Sequence, residues 1–245
     1  MSGGISTTWI DEIQGHLEPD LARYLEAALP RYHDDFKIIQ DLGQGGDLLE
    51  IGCYPYCMSA FLQRAGYRLI GLDKKPDRGS RVLAAEKLDI RSCDVETERF
   101  PFADASFDII LLNEVFEHLR IDPLFTLYEI KRCLRPGGRL MLTTPNLYGI
   151  MMVLRFLSGK GIEDPVAAFQ MLKTTGHMGH LRTYSKMDMR SFLRTSGLEV
   201  VLLNTRPLLT GSKRKVAVKK LIYNFIPSGL SDNIVVVAKR TQTAA

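Results

Sequence analysis

The sequence has 245 residues, of which 45% are hydrophobic and 24% are charged, and its formal net charge is +4. These values are typical of a globular protein with one α/β domain and additions, and the chain shows no internal repeat or low-complexity segment. No stretch has the roughly 18 uncharged apolar residues of a membrane span, and no secretory signal precedes the four cysteines. We therefore expect a cytoplasmic protein with reduced thiols.

The first 42 residues are predicted to form an N-terminal helical segment. Leu17, Leu21, Leu25 and Leu29 recur at helical spacing in this region. Pro30 is expected to end the helical run, because proline breaks the hydrogen bonding of a helix interior.

Strands and helices then alternate along the chain. Apolar runs that stop at turn residues predict five strands, at residues 47–51, 68–72, 88–93, 107–112 and 139–143. The Pro136–Gly138 turn is expected to separate the fifth strand from the helix before it. A helix at residues 186–196 and strands at residues 198–204 and 233–238 follow.

This order predicts a doubly wound, mostly parallel, seven-stranded sheet. Residues 43–146 form its core and residues 182–245 its C-terminal part. Residues 147–181 do not fit the alternation and are predicted to be a helical insertion. The Met-rich insertion either covers a bulky acceptor or simply packs on the sheet.

Polar residues and a glycine follow the predicted strands at the sheet edge where ligands bind in such folds. They are Gly52, Asp73, Asp94 and Asn113. Asp73 follows Gly52 by 21 residues, a spacing at which a carboxylate accepts both ribose hydroxyls of an adenosine cofactor. Asp94 is placed to meet an adenine amino group. Each aspartate is equally explained as a turn former.

The first of these loops favours one cofactor over another. It contains one glycine, whereas a dinucleotide requires several so that the backbone approaches the pyrophosphate. S-adenosylmethionine (SAM) carries no phosphate and tolerates such a loop. Glu50 either orients the loop or faces the amino group of the cofactor.

Residues 48–201 carry motifs that resemble the class I SAM-dependent methyltransferases. The motifs are residues 49–53, 71–73, 93–96, 100–102, 106–110, 113–119, 134–138 and 143–146. The resemblance implies a Rossmann-like methyltransferase fold, SAM as the cofactor, and a cofactor site formed by Glu50, Gly52, Cys53, Tyr54, Asp73, Asp94, Val95 and Asn113.

Within that class, the chain resembles a branch associated with bacterial glycan assembly. The resemblance lies in Gly52–Pro55, the Thr143–Asn146 strand end and residues 180–184. One departure is plain: Tyr54 and Tyr56 stand where the usual first motif has glycines.

Methyl transfer to a hydroxyl is assisted by a general base, and histidine has a suitable pKa. His180, at the end of the insertion with His177, is the preferred candidate, and otherwise it anchors the insertion. His118 is the alternative, or a packed histidine near a helix start. Glu114 and Glu117 are further candidates, although charges that complement a helix dipole explain them equally well. No metal site is predicted from the sequence.

The leading functional hypothesis is O-methylation of a sugar or glycan precursor. The alternatives are a small-molecule methyltransferase of quinone or secondary-metabolite type, and a catalytically silent partner subunit. No nucleic-acid partner is expected, because no RNA-binding module is evident. The basic stretch Lys213–Lys220 is either a solvated face or a contact with the inner face of an anionic membrane.

Overall fold

The structure is a computed structural model that describes residues 4–175, 179–180, 182–209 and 213–241. It opens with helices α1 (Thr7–Gly15) and α2 (Pro19–Leu42). The prediction that Pro30 ends the helical run is wrong, because α2 continues through it. Buried side chains on both sides of Pro30, among them Leu25, Phe36 and Ile39, hold the helix on the sheet. This packing offsets the lost backbone hydrogen bond.

The first five strands form the parallel part of a mixed sheet, as the alternation predicts. In chain order the elements are β1 (Asp47–Ile51), α3 (Cys57–Arg64), β2 (Arg68–Asp73), α4 (Ser80–Glu86), β3 (Asp89–Ser92), β4 (Phe107–Asn113), α5 (Pro123–Cys133) and β5 (Leu134–Pro145). The chain runs outward from β1 to β3 and then returns to place β4 beside β1. The strand order therefore reverses between β1 and β4, where ligands bind in open α/β sheets.

Strand β5 begins earlier than predicted. It starts at Leu134 and includes the expected Pro136–Gly138 turn, which instead forms an irregular entry to the strand. Gly137 has a φ of +80° there, and Phe107 still pairs with Leu134 before the register shifts. The strand begins before the predicted turn because Leu134 already pairs with Phe107, whereas residues 135–138 have no partner in β4 and pairing resumes at Arg139 with Ile109.

The C-terminal half completes the sheet. Its elements are α6 (Ile150–Leu157), α7 (Pro165–Thr175), α8 (Lys186–Ser196), β6 (Leu198–Arg206), α9 (Lys213–Tyr223) and β7 (Asn233–Arg240). Strand β7 lies between β5 and β6 and is antiparallel to both, which makes the seven-stranded sheet of the described residues mixed. Helix α9 was not predicted from the sequence.

Hydrophobic residues cover the two faces of the sheet. One cluster joins α1, α2 and α3 to the sheet through residues such as Phe36, Phe61 and Leu111. The other joins α5 and α8 through residues such as Leu127 and Leu193. Both faces of the central strands are therefore buried, as expected for parallel strands. Among the described helices, none has the length and apolar character needed to cross a bilayer.

Candidate functional site

A cleft of about 400 Å³ opens at the carboxyl ends of β1, β2 and β4. Its volume falls within the range of about 300–1,000 Å³ that is usual for small-molecule sites. The cleft lies at the reversal of strand order. Its lining includes Ile51, Gly52, Tyr54, Leu72, Asp73, Lys74, Arg78, Asp94, Val95, Glu96, Glu114, Val115, His118, Leu119 and Arg120.

At Gly52 the backbone itself forms part of the wall of the cleft. Its φ is +67°, a conformation that favours glycine, and its N–H donates to the carbonyl of Leu72 at 2.8 Å. A Cβ at this position would lie 2.5 Å from Cγ2 of Val115. The glycine is therefore required both by backbone conformation and by the close approach of the loop after β4.

Asp73 ends β2 and is almost fully buried in the wall of the cleft. Its Oδ1 accepts hydrogen bonds from the backbone N–H of Lys75 at 2.7 Å and from the guanidinium of Arg78 at 3.0 Å. Within the described part of the chain, no hydrogen bond reaches Oδ2. One carboxylate oxygen is thus held in place while the other remains available as an acceptor.

Asp94 and Val95 also line the cleft, as predicted. The Oδ2 of Asp94 lies 2.6 Å from Nζ of Lys74, and its Oδ1 accepts from the N–H of Glu96 at 3.2 Å. Both carboxylate oxygens therefore have partners within the protein. A contact between Asp94 and an adenine amino group would have to compete with Lys74.

Neither tyrosine of the first loop closes the cleft. Tyr54 lies in its wall, with the guanidinium carbon of Arg78 4.5 Å from the ring centroid. Tyr56 is fully buried outside the lining and donates its hydroxyl to the carbonyl of Pro76 at 2.8 Å. Its ring packs under Gly79, where an added Cβ would meet it at 2.2 Å. The tyrosines of the first loop therefore leave the cleft open.

Three other predicted cofactor residues lie behind the lining. Glu50 is buried and accepts a hydrogen bond from the hydroxyl of Ser59 in α3, and burial raises its pKa to about 7. This position favours the role of orienting the loop. Cys53 is buried, with its Sγ 3.5 Å from the carbonyl of Leu72. Asn113 ends β4 with a buried Oδ1 that has no partner among the described residues.

The two candidate bases lie together at one side of the cleft. The rings of His118 and His180 are 5.0 Å apart between centroids, and His118 lines the cleft whereas His180 does not. Both approach Glu117, whose side chain is fully buried. Burial, followed by the charge of Glu114, raises the pKa of Glu117 far above its ordinary value. His177 and Leu181 lie outside the described residues.

Known proteins with related sequences and folds share this architecture. A family model described as "Methyltransferase domain" matches residues 14–203. The chain is 30% identical over 157 residues to a Mycolicibacterium smegmatis protein named "Probable S-adenosylmethionine-dependent methyltransferase", covering 64% of this chain and 53% of that protein. This chain belongs to the methyltransferase-domain family.

Two further comparisons concern this methyltransferase-family chain. It is 32% identical over 168 residues to a "Ubiquinone biosynthesis O-methyltransferase" of Cereibacter sphaeroides, covering 63% of this chain and 62% of that protein. The chain thus spans between about half and two thirds of these relatives' length. A solved SAM-dependent methyltransferase of Mesorhizobium loti has the same fold, with a TM-score of 0.60, 16% identity, and coverage of 84% of this chain and 97% of that one.

The family and the fold imply SAM as the cofactor, and the cleft of this methyltransferase-domain chain fits it. The volume suits a nucleoside-sized ligand, and a Cβ at Gly52 would fill the space where the loops after β1 and β4 meet. The available carboxylate oxygen of Asp73 matches a hydroxyl donor of a ribose. The residues present therefore agree with the cofactor that the sequence predicts.

The sequence named Glu114 as a candidate base but did not reveal its contacts, and it assigned no role to Glu96. Glu114 lines the cleft and accepts hydrogen bonds from Thr143 and Asn233, both at 2.8 Å, so it ties β5 and β7 to the site. Glu96 accepts from the backbone N–H groups of Arg120 and Ile121 and fixes the loop after β4. These roles depend on contacts between residues that are far apart in the sequence, so only the folded structure identifies them. Both glutamates nevertheless lie within the methyltransferase-like motifs.

Proposed function

We propose that this chain transfers a methyl group from SAM to an oxygen atom of a small-molecule acceptor. The observation that carries the proposal is the cleft at the strand-order reversal, where Gly52 brings the backbone close and Asp73 offers one carboxylate oxygen. The membership of the methyltransferase-domain family supports the same reaction class.

When bound, SAM supplies an electrophilic methyl group on a positively charged sulfur. We assign the ribose hydroxyls to Asp73 and the adenine to the turn at Asp94 and Val95. In the reaction, the acceptor oxygen would bond to the methyl carbon as the carbon–sulfur bond breaks, S-adenosylhomocysteine would leave, and the proton of the acceptor would pass to solvent water. The protein contributes by aligning the two reactants and excluding water.

The acceptor class can be narrowed by the surface near the cleft. The segment that carries α6 and α7 returns to the cleft at Gly179. It exposes large apolar side chains, with Leu157 79% and Val166 64% exposed. An acceptor with an apolar portion would cover such side chains and remove them from water. A sugar or glycan precursor on a lipid carrier meets this requirement, and it is the first acceptor that we propose.

A second candidate acceptor is a quinone-type aromatic with an apolar tail. The exposed apolar side chains of α6 and α7 suit it equally, and a relative is named as an O-methyltransferase of ubiquinone biosynthesis. The predicted role of His180 as the general base stays a prediction, since its ring does not line the cleft. The third interpretation is a catalytically silent partner subunit. It differs from the two enzymatic candidates in that it would not bind the cofactor.

Isothermal calorimetry with SAM and S-adenosylhomocysteine tests the cofactor site, and we expect one equivalent of each to bind. Transfer of a radiolabelled methyl group to lipid-linked sugars and to hydroxylated quinone precursors then tests the acceptor. Product formed only from the sugars supports the first candidate, and product formed only from the quinone precursors supports the second. If neither SAM nor S-adenosylhomocysteine binds, the enzymatic function is overturned in favour of the silent partner subunit.

A further inference from the structure

Three side chains at the edge of the cleft bring ligand atoms to one point. They are Glu117 and His118, which end a short 3-10 helix after β4, and His180, which follows α7. Oε1 of Glu117 lies 4.0 Å from Nε2 of His118 and 3.8 Å from Nε2 of His180. One possible ligand atom from each of the three residues lies within 4.8 Å of the other two. We call these residues the Glu–His–His cluster.

In each histidine ring, the Nδ1 atom lies close to an oxygen atom of a neighbouring residue. Nδ1 of His118 lies 2.7 Å from the carbonyl oxygen of Gly179, which only accepts hydrogen bonds. Nδ1 of His180 lies 3.2 Å from Oε1 of Glu163, a carboxylate oxygen. Both contacts favour a hydrogen on Nδ1, and each neutral ring then directs its lone pair through Nε2.

The carboxylate between the rings has no donor for one of its oxygens. Oε2 of Glu117 accepts a hydrogen bond from the hydroxyl of Thr144 at 2.9 Å. The side chain of Glu117 is fully buried, and its Oε1 has no hydrogen-bond partner among the described residues. A buried acceptor without a partner lowers stability, so a positive group between the three atoms would stabilise this arrangement.

Two imidazole nitrogens and one carboxylate oxygen are a ligand set that zinc and similar divalent metals bind, at about 2.0–2.2 Å from each ligand. Tetrahedral ligands at that distance are about 3.4 Å apart. The two separations between Oε1 of Glu117 and the Nε2 atoms, 4.0 and 3.8 Å, exceed this value by about 0.6 and 0.4 Å, so metal binding requires the side chains to move closer together. The oxygen partners on both Nδ1 atoms are the outer contacts that orient metal-binding histidines.

We propose that Glu117, His118 and His180 bind one divalent first-row transition metal ion, of which Zn²⁺ is the best match. Three protein ligands leave a fourth position open, and His118 places the ion at the edge of the cleft. Resting on the proposed function, we infer that the open position takes the acceptor oxygen and that the positive charge of the ion favours loss of its proton. His180 is then a metal ligand rather than a general base.

The first test measures metal binding without any reaction. Tag-free, full-length protein is stripped with a chelator and titrated with Co²⁺ alone, by calorimetry and by visible absorption, which reports the coordination. We expect one equivalent to bind, and we expect His118→Ala and His180→Ala each to weaken binding at least tenfold. His33→Ala, which removes an exposed histidine of α2, is the matched control and should bind as the wild type does.

Circular dichroism checks that each variant is folded. His180 is partly exposed, so its removal should disturb the core less than removal of the other two ligands. Absence of stoichiometric Co²⁺ binding overturns the metal site, as does unchanged binding by the His118→Ala/His180→Ala double variant. The three residues would then serve only to hold the loop after β4 against the segment that follows α7. SAM calorimetry in the presence of chelator keeps the two proposals apart: normal SAM binding with no metal binding overturns only the metal site.

Discussion

At the scale of single residues, the site depends on positions that accept only one residue type, such as a glycine or a carboxylate. Gly52 and Asp73 were both singled out by their places at strand ends, and the structure brings both into one cleft. The sequence predicted these positions because a strand end fixes a residue's place at the sheet edge. It did not predict the partners of Asp73, since Arg78 reaches it from a loop that carries no motif.

Replacing Asp73 by alanine should weaken SAM binding by about 1–3 kcal/mol, the usual effect of removing a charge-assisted hydrogen-bond acceptor. Calorimetry with SAM measures the change. Asp77→Ala is the matched control, because Asp77 is exposed on the same loop and does not line the cleft. An unchanged dissociation constant for Asp73→Ala would refute the ribose assignment.

Gly52→Ala should lower the free energy of unfolding by about 1–3 kcal/mol and also weaken SAM binding. The new methyl group meets Val115 at 2.5 Å in a backbone conformation that disfavours side chains. Urea unfolding measures the first effect. Gly15→Ala is the control, since no atom lies within 4 Å of its added Cβ, and its stability should be unchanged or slightly higher. Equal stability of the two variants would contradict the close approach.

At the scale of whole elements, strands were easier to predict than helices. Buried parallel strands appear as short apolar runs, and β1 was predicted with its observed bounds. Helix α2 was predicted to stop at Pro30, although Tyr32, Phe36 and Ile39 continue its apolar stripe beyond the proline. Helix α9 was missed because its basic residues give it little apolar periodicity.

Helix α9 and the turn after it form a surface for which we propose contact with an anionic membrane, as the basic stretch Lys213–Lys220 suggests. The side chains of residues 213–215 lie outside the described part, but Leu221 is 61% and Phe225 82% exposed. Basic and apolar groups together are typical of segments that bind at a lipid surface.

Phe225→Ser should reduce binding to vesicles that contain phosphatidylserine several-fold, because it removes an apolar side chain that would enter the lipid interface. Co-sedimentation measures the bound fraction. Ile121→Ser, which changes another exposed apolar residue far from α9 in sequence, should have no effect. Equal binding of the wild type and Phe225→Ser would remove the support for a membrane contact at this surface.

At the scale of the whole molecule, the fold class followed from the order of the elements, and the mixed character of the sheet from the two late strands. The Glu–His–His cluster could not be predicted in this way, because His118 and His180 belong to distant segments that meet only where the chain after α7 returns to the cleft. Metal sites with closely spaced ligands leave a pattern in the sequence, whereas this one does not.

The stability of the molecule should depend on pH through Glu50. Burial raises its pKa in the folded chain to about 7, from an ordinary value of about 4.5. Between these values, the unfolded chain releases the proton while the folded chain retains it. The contribution of Glu50 to stability is therefore complete below about pH 4.5 and is lost as the pH rises to about 7.

Glu50→Gln removes this dependence. Relative to the wild type, the free energy of unfolding of the variant should rise by up to about 3 kcal/mol between pH 4.5 and pH 7.5. Urea unfolding at both pH values measures the difference. Glu199→Gln, which alters an exposed ion pair with Lys239, should show a small change, because such pairs contribute little. A pH profile identical to that of the wild type would show that Glu50 ionises freely in the fold.

The position of β7 has a consequence for how the molecule could be divided. This strand pairs on both edges, and the side chain of Asn233 reaches from its first residue to Glu114 in the cleft. Asn224, Phe225, Pro227 and Ser228 are exposed in the connection between α9 and β7, so a cut there would leave a fragment whose sheet has an open slot. A synthetic peptide with the β7 sequence should fill that slot by strand addition. Recovery of SAM binding would then report the reassembly, which makes the protein a candidate for a two-piece sensor.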